Sequence, residues 1–455
     1  MSGPRLLSDL AAVVGANHVV VDPDVRATYE VDWLGARYGT ALAVVRPGSV
    51  AEVAGVVGVC AAAGVPIVVQ GGNTGLVGGS VPLDGAVVVS TRRLDRLDPV
   101  DEVAMQVTAG AGVTIGAVRD HARAVDLDIP VDWGARASAT VGGAVNTDAG
   151  GSRVVRFGTM RAQVLGVEAV LADGSVVDDL HGLPKRTAGP HLASLLVGSE
   201  GTLAVVTAAR LRLVPWFRAT AAAWVPCRSI DDALHVLGRL RSLPSLDAVE
   251  VLFSDAVEVA SAHLGVAPPM DPRAAPLFLL VDCAAHADPA DELLDALAGR
   301  DGVMAVGPAR EALYAIRDHI TVALSALGTP LKLDVAVPLA RLAELVEMIT
   351  HIRDAADPSA RLVVFGHLAE GNLHVNLLGL DPPARDRVRE AVLETTIALG
   401  GTVSAEHGIG RLKVDWMERQ HGCTHIEVLR RLKDSLDPQG LLNPGVLVPR
   451  RAAPS

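Results

Sequence analysis

Two histidines seven positions apart, His367 and His374, sit in the stretch Phe365-Gly366-His367-Leu368-Ala369-Glu370-Gly371-Asn372-Leu373-His374-Val375-Asn376. Imidazole is the commonest protein ligand of transition metals, so such a pair can hold a divalent cation. The flanking runs, Arg361-Leu362-Val363-Val364-Phe365 and residues 373–377, have the β-branched and apolar composition of strands. The spacing therefore predicts an antiparallel hairpin closed by Ala369-Glu370-Gly371-Asn372. In that register Leu368 faces Leu373 and His367 faces His374, with Cβ atoms roughly 4.5–5.5 Å apart, and Asn376 joins the same face. Two histidines bonded to backbone or to each other would give the same pattern, so a third ligand decides.

A third ligand stands downstream, in Gly400-Gly401-Thr402-Val403-Ser404-Ala405-Glu406-His407-Gly408-Ile409-Gly410. A regular strand would send the neighbours Glu406 and His407 to opposite faces, but Gly408 and Gly410 mark a loop in which both can serve one site. His367, His374 and Glu406 make a His₂Glu set, a type that holds zinc while leaving positions open for substrate. Manganese, iron or cobalt (Mn2+, Fe2+, Co2+) suit the same ligands.

Glycine-rich segments supply a second kind of chemistry. After the capped helix over residues 50–63, which Ser49 and Glu52 open and Gly64 closes, the apolar Pro66-Ile67-Val68-Val69 reads as a buried strand. It runs into Gln70-Gly71-Gly72-Asn73-Thr74-Gly75-Leu76-Val77-Gly78-Gly79-Ser80, where backbone amides can turn toward an anion such as a pyrophosphate. A plain turn would also use these glycines. The run from Pro130 to Gly151 is dominated by small residues that suit a large flat ligand better than a packed core. A third segment, Val197-Gly198-Ser199-Glu200-Gly201-Thr202-Leu203, leads into a strand at Val205. Neither G-x-G-x-x-G nor G-x-x-x-x-G-K-[ST] occurs, which disfavours a standard NAD or ATP site.

The chain that must position these groups has 455 residues, enough for two or three domains with their own cores. Its 52 acidic against 40 basic side chains, net −12, argue against nucleic acid as a partner. Cys60, Cys227, Cys283 and Cys423 share no CxxC or zinc-ribbon spacing and read as small buried hydrophobes in a reducing compartment. No signal peptide and no membrane span are expected, and the localisation expected is cytoplasmic.

The three glycine-rich segments, in this order, resemble the FAD-binding domain of the vanillyl-alcohol-oxidase-like flavoproteins. With the histidine motifs, the chain from about Leu42 to Pro444 resembles the FAD-dependent D-2-hydroxyacid dehydrogenase family, in particular its D-2-hydroxyglutarate dehydrogenase type. The fold class implied is α+β: a two-part FAD-binding domain over 1–215, an α+β substrate or cap domain with the metal-binding hairpin over 216–400, and a C-terminal helical segment over 401–455 that completes the active site and returns to the FAD domain. The resemblance implies that Gly71, Gly72, Asn73, Thr74, Gly75, Leu76, Gly79 and Ser80 cradle the pyrophosphate. It implies that Asp132, Gly134, Ala135, Ser138, Gly142, Gly143, Thr147, Ala149, Gly150 and Gly151, with Arg156 and Gly158, line flavin and adenosine. Glu200, Gly201 and Val205 would close over the cofactor, and Asn443 would lie near the isoalloxazine, although a plain N-P-G turn also accounts for Asn443. Asp148, where relatives commonly carry Asn, and Gly189-Pro190-His191-Leu192, where they often carry G-Y-D-L, depart from the family pattern. Asn73 and Thr74 stand where some members tether flavin through a histidine, so FAD is expected to be non-covalent.

Arg317 and Thr321 lie one turn apart on an expected helix over 311–324, and Lys332 opens the strand after it. Without context these are surface residues; the resemblance implies that they hold the distal carboxylate of a dicarboxylic D-2-hydroxy acid, a guanidinium offering a forked contact and lysine a point charge. Oxidation removes a hydroxyl proton and a hydride from one carbon, and His407 is the base expected to take the proton, touching the substrate together with Asn376. A separate electron acceptor, flavoprotein, quinone or cytochrome, is expected, and the oligomeric state stays open, a homodimer included. The rival readings are an oxidase of the same fold or a D-lactate or glycolate dehydrogenase, a zinc-dependent hydrolase, and an inactive binding protein. The tail after Val448 is expected to be disordered.

Overall fold

The computed structural model describes residues 3–83 and 85–449. The expectation of disorder for the tail falls mainly on residues 450–455, outside the described residues. Two compact units form, one from Met1–Gly151, Gly158–Trp216 and Glu406–Ser455, the other from Ser152–Phe157 and Phe217–Ala405.

In the first unit, β1 (Val19–Val20), β2 (Ala41–Val45), β3 (Ile67–Gln70) and β4 (Ala86–Ser90) form a sheet in the order β1-β2-β4-β3, with β4 parallel to both β2 and β3. Parallel strands need a crossover, and the helix Val50–Ala63 provides it. Ser49 accepts the Glu52 amide at 3.2 Å, and Gly64 closes the helix in the left-handed conformation. The apolar runs of these strands pack with that helix and Leu6, Leu10 and Val14 of the N-terminal helix into one core. A second sheet is antiparallel, in the order β5 (Gln106–Gly110), β9 (Val205–Arg212), β7 (Val164–Val170), β8 (Val176–Asp178), and β6 (Leu127–Asp128) pairs with β10 (Val214–Pro215). Leu441–Asn443 returns alongside β3: Ile67 donates to Leu441 O and Asn443 to Ile67 O, each at 2.8 Å.

The second unit is one seven-stranded antiparallel sheet. Its strands are β11 (Ala219–Cys227), β12 (Leu246–Phe253), β13 (Leu277–Ala285), β14 (Val303–Val306), β15 (Leu331–Ala336), β16 (Arg361–His367) and β17 (Asn372–Leu378), in the order β14-β11-β13-β12-β16-β17-β15. The helices Ser254–Leu264 and Pro308–Leu327 bury Ala256, Val257, Ile316 and Ile320 with Trp224, Phe278, Val363 and Phe365 of the sheet. The described residues contain no helix long and apolar enough to cross a membrane.

Candidate active site

The hairpin β16–β17 forms, but in a different register from the one expected. His367 pairs with Asn372, and His374 with Phe365. The turn consists of Leu368–Glu370 in a 3₁₀ conformation followed by Gly371 at φ 68°. A left-handed glycine finishes the reversal one residue earlier than the loop read from sequence, so each strand's partner shifts. Because strand side chains alternate, a shift of two positions along β17 keeps both histidines on one face, as diagonal rather than opposite neighbours. Their rings meet edge to face with centroids 5.4 Å apart.

Pairing across β15, β17 and β16 aligns Lys332 with Asn376 and Val363, and Asp334 with His374 and Phe365. Continuing across β12, Glu250 pairs with His367. One sheet face thus gathers Glu250, His367, His374, Asp334, Asn376 and Lys332. His367 Nδ1 lies 2.6 Å from Glu250 Oε1, and His374 Nδ1 lies 3.5 Å from Asp334 Oδ1. A carboxylate on Nδ1 fixes the ring and makes Nε2 the basic nitrogen, the arrangement found behind metal-binding histidines. Burial alone would raise the Glu250 carboxyl, but Arg317 and His367 outweigh it and hold Glu250 at about 2.

Arg317 reaches this face from the helix Pro308–Leu327, placing Nε 2.7 Å from Glu250 Oε2 and its guanidinium over the Phe365 ring. Thr321, half-buried, follows one turn later on the same helix. Lys332 Nζ lies 3.4 Å from Ser325 Oγ, and burial lowers its pKa. Asn376 Nδ2 donates to Val363 O and His374 O. Glu250, Asp334 and the Arg317–Glu250 pairing were not anticipated. The available signal was a lone carboxylate in an apolar strand, as in Ala248-Val249-Glu250-Val251-Leu252 and Leu333-Asp334-Val335.

Glu406 and His407 belong to the first unit. There all three glycine-rich segments hold the loop that carries His407. Gly151 N donates to Glu406 Oε1 at 3.0 Å, Ile409 N and Gly410 N donate to the two carboxylate oxygens of Glu200 at 2.7 Å each, and Arg411 N donates to Val77 O at 3.0 Å. A Cβ on Gly410 would stand 2.2 Å from Val77 O. Burial pushes the Glu200 carboxyl above its ordinary range, with the amides of Ile409 and Gly410 pulling the other way. Glu200 also holds φ 51°, a conformation costing order 1 kcal/mol for a residue with a Cβ.

The first glycine-rich loop closes directly on the second. A Cβ on Gly71 would meet Thr140 Oγ1 at 2.2 Å and one on Gly72 would meet Ser138 O at 2.0 Å, whereas Gly75 faces open space. Among the described residues, none accepts an amide hydrogen from residues 72–80, which leaves a run of donors for an anionic ligand or water. Asn443 is buried with Nδ2 donating to Glu200 O at 2.7 Å, while its Oδ1 has no partner among the described residues. Open amides beside an orphaned carbonyl oxygen fit a dinucleotide carrying both phosphates and ring N–H donors. Some residues expected at the cofactor also make bonds within the protein. Asn73 ties the loop to Val31 O and Ser80 Oγ, and Asp132 pairs with Arg119 and Arg136. Arg156 falls in the second unit, bonded to Asp247 and Ala284 O with its guanidinium over Phe217. The departure at Asp148 has a local reason: it ends the helix Val141–Thr147 at φ 51° and accepts Arg161 through both backbone and side chain.

Comparison with known proteins agrees with both units. A model of an FAD binding domain matches residues 41–179, and a model of the C-terminal domain of FAD linked oxidases matches residues 217–447. The mitochondrial D-2-hydroxyglutarate dehydrogenase of Bos taurus is 34% identical over 461 residues, covering 98% of this chain and 84% of that protein. The D-lactate dehydrogenase of Archaeoglobus fulgidus is 33% identical over 408 residues, covering 89% and 91%. In fold, the chain is similar to p-cresol methylhydroxylase, with a TM-score of 0.80 at 17% identity over 99% of this chain and 98% of that one.

Proposed function

This chain belongs to the family of FAD-linked oxidases, and from that premise we propose that it oxidises D-2-hydroxyglutarate to 2-oxoglutarate, with His407 as base and a divalent cation at the substrate. The coarser activity, FAD-dependent oxidation of a D-2-hydroxy acid, follows from its relatives at 33–34% identity over most of the chain. A hydrolase reading, in which the glycine loops are only turns, falls with that membership.

Bound FAD supplies the acceptor for the hydride leaving C2 of the substrate. The chain's own residues supply the rest. His407 takes the hydroxyl proton, so the alcohol loses one proton and one hydride and becomes a ketone. His367, His374 and Glu406 are the proposed ligands of the cation, zinc being first choice, and such an ion contributes Lewis acidity toward the hydroxyl and the C1 carboxylate. Lys332, Arg317 and Thr321 are assigned to the distal carboxylate, and Asn376 to the proximal one.

The observation that carries the dicarboxylate reading is Lys332, a cationic group on the same sheet face as both histidines. The test is anaerobic addition of D-2-hydroxyglutarate, D-lactate and D-malate in turn to the FAD-loaded protein, before and after chelation, with flavin absorbance as the readout. Rapid bleaching by D-2-hydroxyglutarate that chelation abolishes is expected. Preference for D-lactate would overturn the substrate assignment, and bleaching indifferent to chelation would overturn the metal.

A further inference from the structure

The loop Glu406–Gly410 carries the proposed base, and its left-handed glycines, Gly408 at φ 81° and Gly410 at φ 52°, give it little intrinsic stiffness. Its placement must come from what it is bonded to. Glu200 is nine-tenths buried and sends both carboxylate oxygens to this loop, accepting Ile409 N and Gly410 N at 2.7 Å each. Two successive amides converging on one carboxylate form a rigid, directional grip. The same residue anchors two other segments of the unit, its amide donating to Asn146 O at 2.8 Å and its carbonyl accepting Asn443 Nδ2 at 2.7 Å. The fit leaves no slack on the loop side, since a Cβ on Gly408 would stand 3.0 Å from Glu200 Oε1.

We propose that Glu200 is a positioning residue for His407: its carboxylate is committed to the amides two and three residues beyond the imidazole and sets where that imidazole stands. This revises the expectation that Glu200 contacts the cofactor, and it rests on reading His407 as the base. The chemistry requires a carboxylate. In Glu200→Gln one amide keeps an oxygen acceptor while the other meets an NH₂ group, donor against donor.

The test uses the full FAD-loaded chain. Amide exchange should find Ile409 and Gly410 protected in the parent and at least about tenfold faster in Glu200→Gln, with β7 and β9 unchanged. Turnover of D-2-hydroxyglutarate should fall about a hundredfold, the effect of displacing a catalytic group by about 1 Å. The FAD dissociation constant should stay within about threefold, because the carboxylate that forms the grip is spent on the loop and not on the cofactor. Weakening of FAD in step with turnover would make Glu200 a cofactor ligand and overturn the proposal, as would unchanged protection at 409 and 410. Should Glu200→Gln fail to fold, Glu200→Asp withdraws the same carboxylate: faster exchange at 409 and 410 and lost turnover with retained FAD support the grip, and normal turnover overturns it. His407→Asn runs alongside. If that variant bleaches normally, the base assignment falls, and the exchange result alone decides whether Glu200 holds the loop.

Discussion

His367 Nδ1 stands 2.6 Å from Glu250 Oε1, two strands meeting through a buried imidazole and a carboxylate that is itself closed on its other oxygen by Arg317 at 2.7 Å. A partner of this kind orients a ligating ring and raises its basicity, and losing it typically weakens metal binding about 10–100-fold. Glu250→Gln should therefore lose substrate-driven flavin bleaching at a chelator concentration about 10–100-fold lower than the parent tolerates. Identical chelator curves would leave Glu250 a structural residue only.

On the proposed assignment, Lys332 is the residue that should separate dicarboxylic from monocarboxylic substrates. Losing one charge-assisted bond costs about 1.5–3 kcal/mol, so Lys332→Ala should raise KM for D-2-hydroxyglutarate by at least about tenfold and leave KM for D-lactate nearly unchanged. The pH dependence has a definite sign. Burial lowers the Lys332 pKa, so the ammonium loses its proton at a pH below the ordinary lysine range. KM for the dicarboxylate should hold steady at neutral pH and climb as pH rises through that lowered value, and the climb should vanish in Lys332→Ala. Equal effects on both substrates would remove Lys332 from the distal carboxylate.

Local rules made much of this legible. The helix over residues 50–63 ends where Gly64 ends it. The hairpin face was readable because alternation survives a shift of two, but the partner of each residue was not, because Gly371 rather than Asn372 completes the turn. Contacts across long sequence separations left weaker marks. Glu250 lies 117 positions before His367, and nothing in spacing links them. Arg156 shows the converse limit: it stands in glycine-rich sequence, and nothing in its spacing marks that Asp247, 91 positions away, pairs with its side chain.

The glycine cradle makes a prediction about colour. A methyl group at position 72 would lie 2.0 Å from the backbone oxygen of Ser138, which has no flexible end to yield. Overpacking of this kind costs about 1–3 kcal/mol, and here the strain falls on the seam between two glycine-rich loops. Gly72→Ala should purify largely without FAD, while Gly58→Ala, on the helix Val50–Ala63 outside the cradle with nothing within 4 Å of its Cβ, should purify yellow. The ratio of flavin to protein absorbance reads both, and acid precipitation of the parent should release the flavin into the supernatant. Equal loss of colour in the two variants would place the ligand away from the seam.

Lys433 ties the C-terminal segment to the cofactor unit and should matter for stability. Its ammonium donates to Thr202 O and Leu442 O at 2.6 Å each and to Asp437 Oδ2 at 2.5 Å, and Asp437 in turn accepts the amides of Leu441 and Leu442. Lys433→Met removes three bonds and leaves a buried carboxylate without its cation, a change that costs about 3–5 kcal/mol. A fall of several degrees in Tm is expected, together with weaker FAD, because Leu442 precedes Asn443; Lys433→Met with Asp437→Asn should recover part of both. Burial lowers the Lys433 pKa, with Asp437 pulling it back up. A lysine whose folded pKa is lowered binds its proton more weakly than in the unfolded chain. Stability therefore gains a component that rises with pH, from the lowered value up to the unfolded value of about 10.4. Urea midpoints measured across that window should rise in the parent relative to Lys433→Met, and parallel curves would mean that the ammonium is not held where the bonds place it.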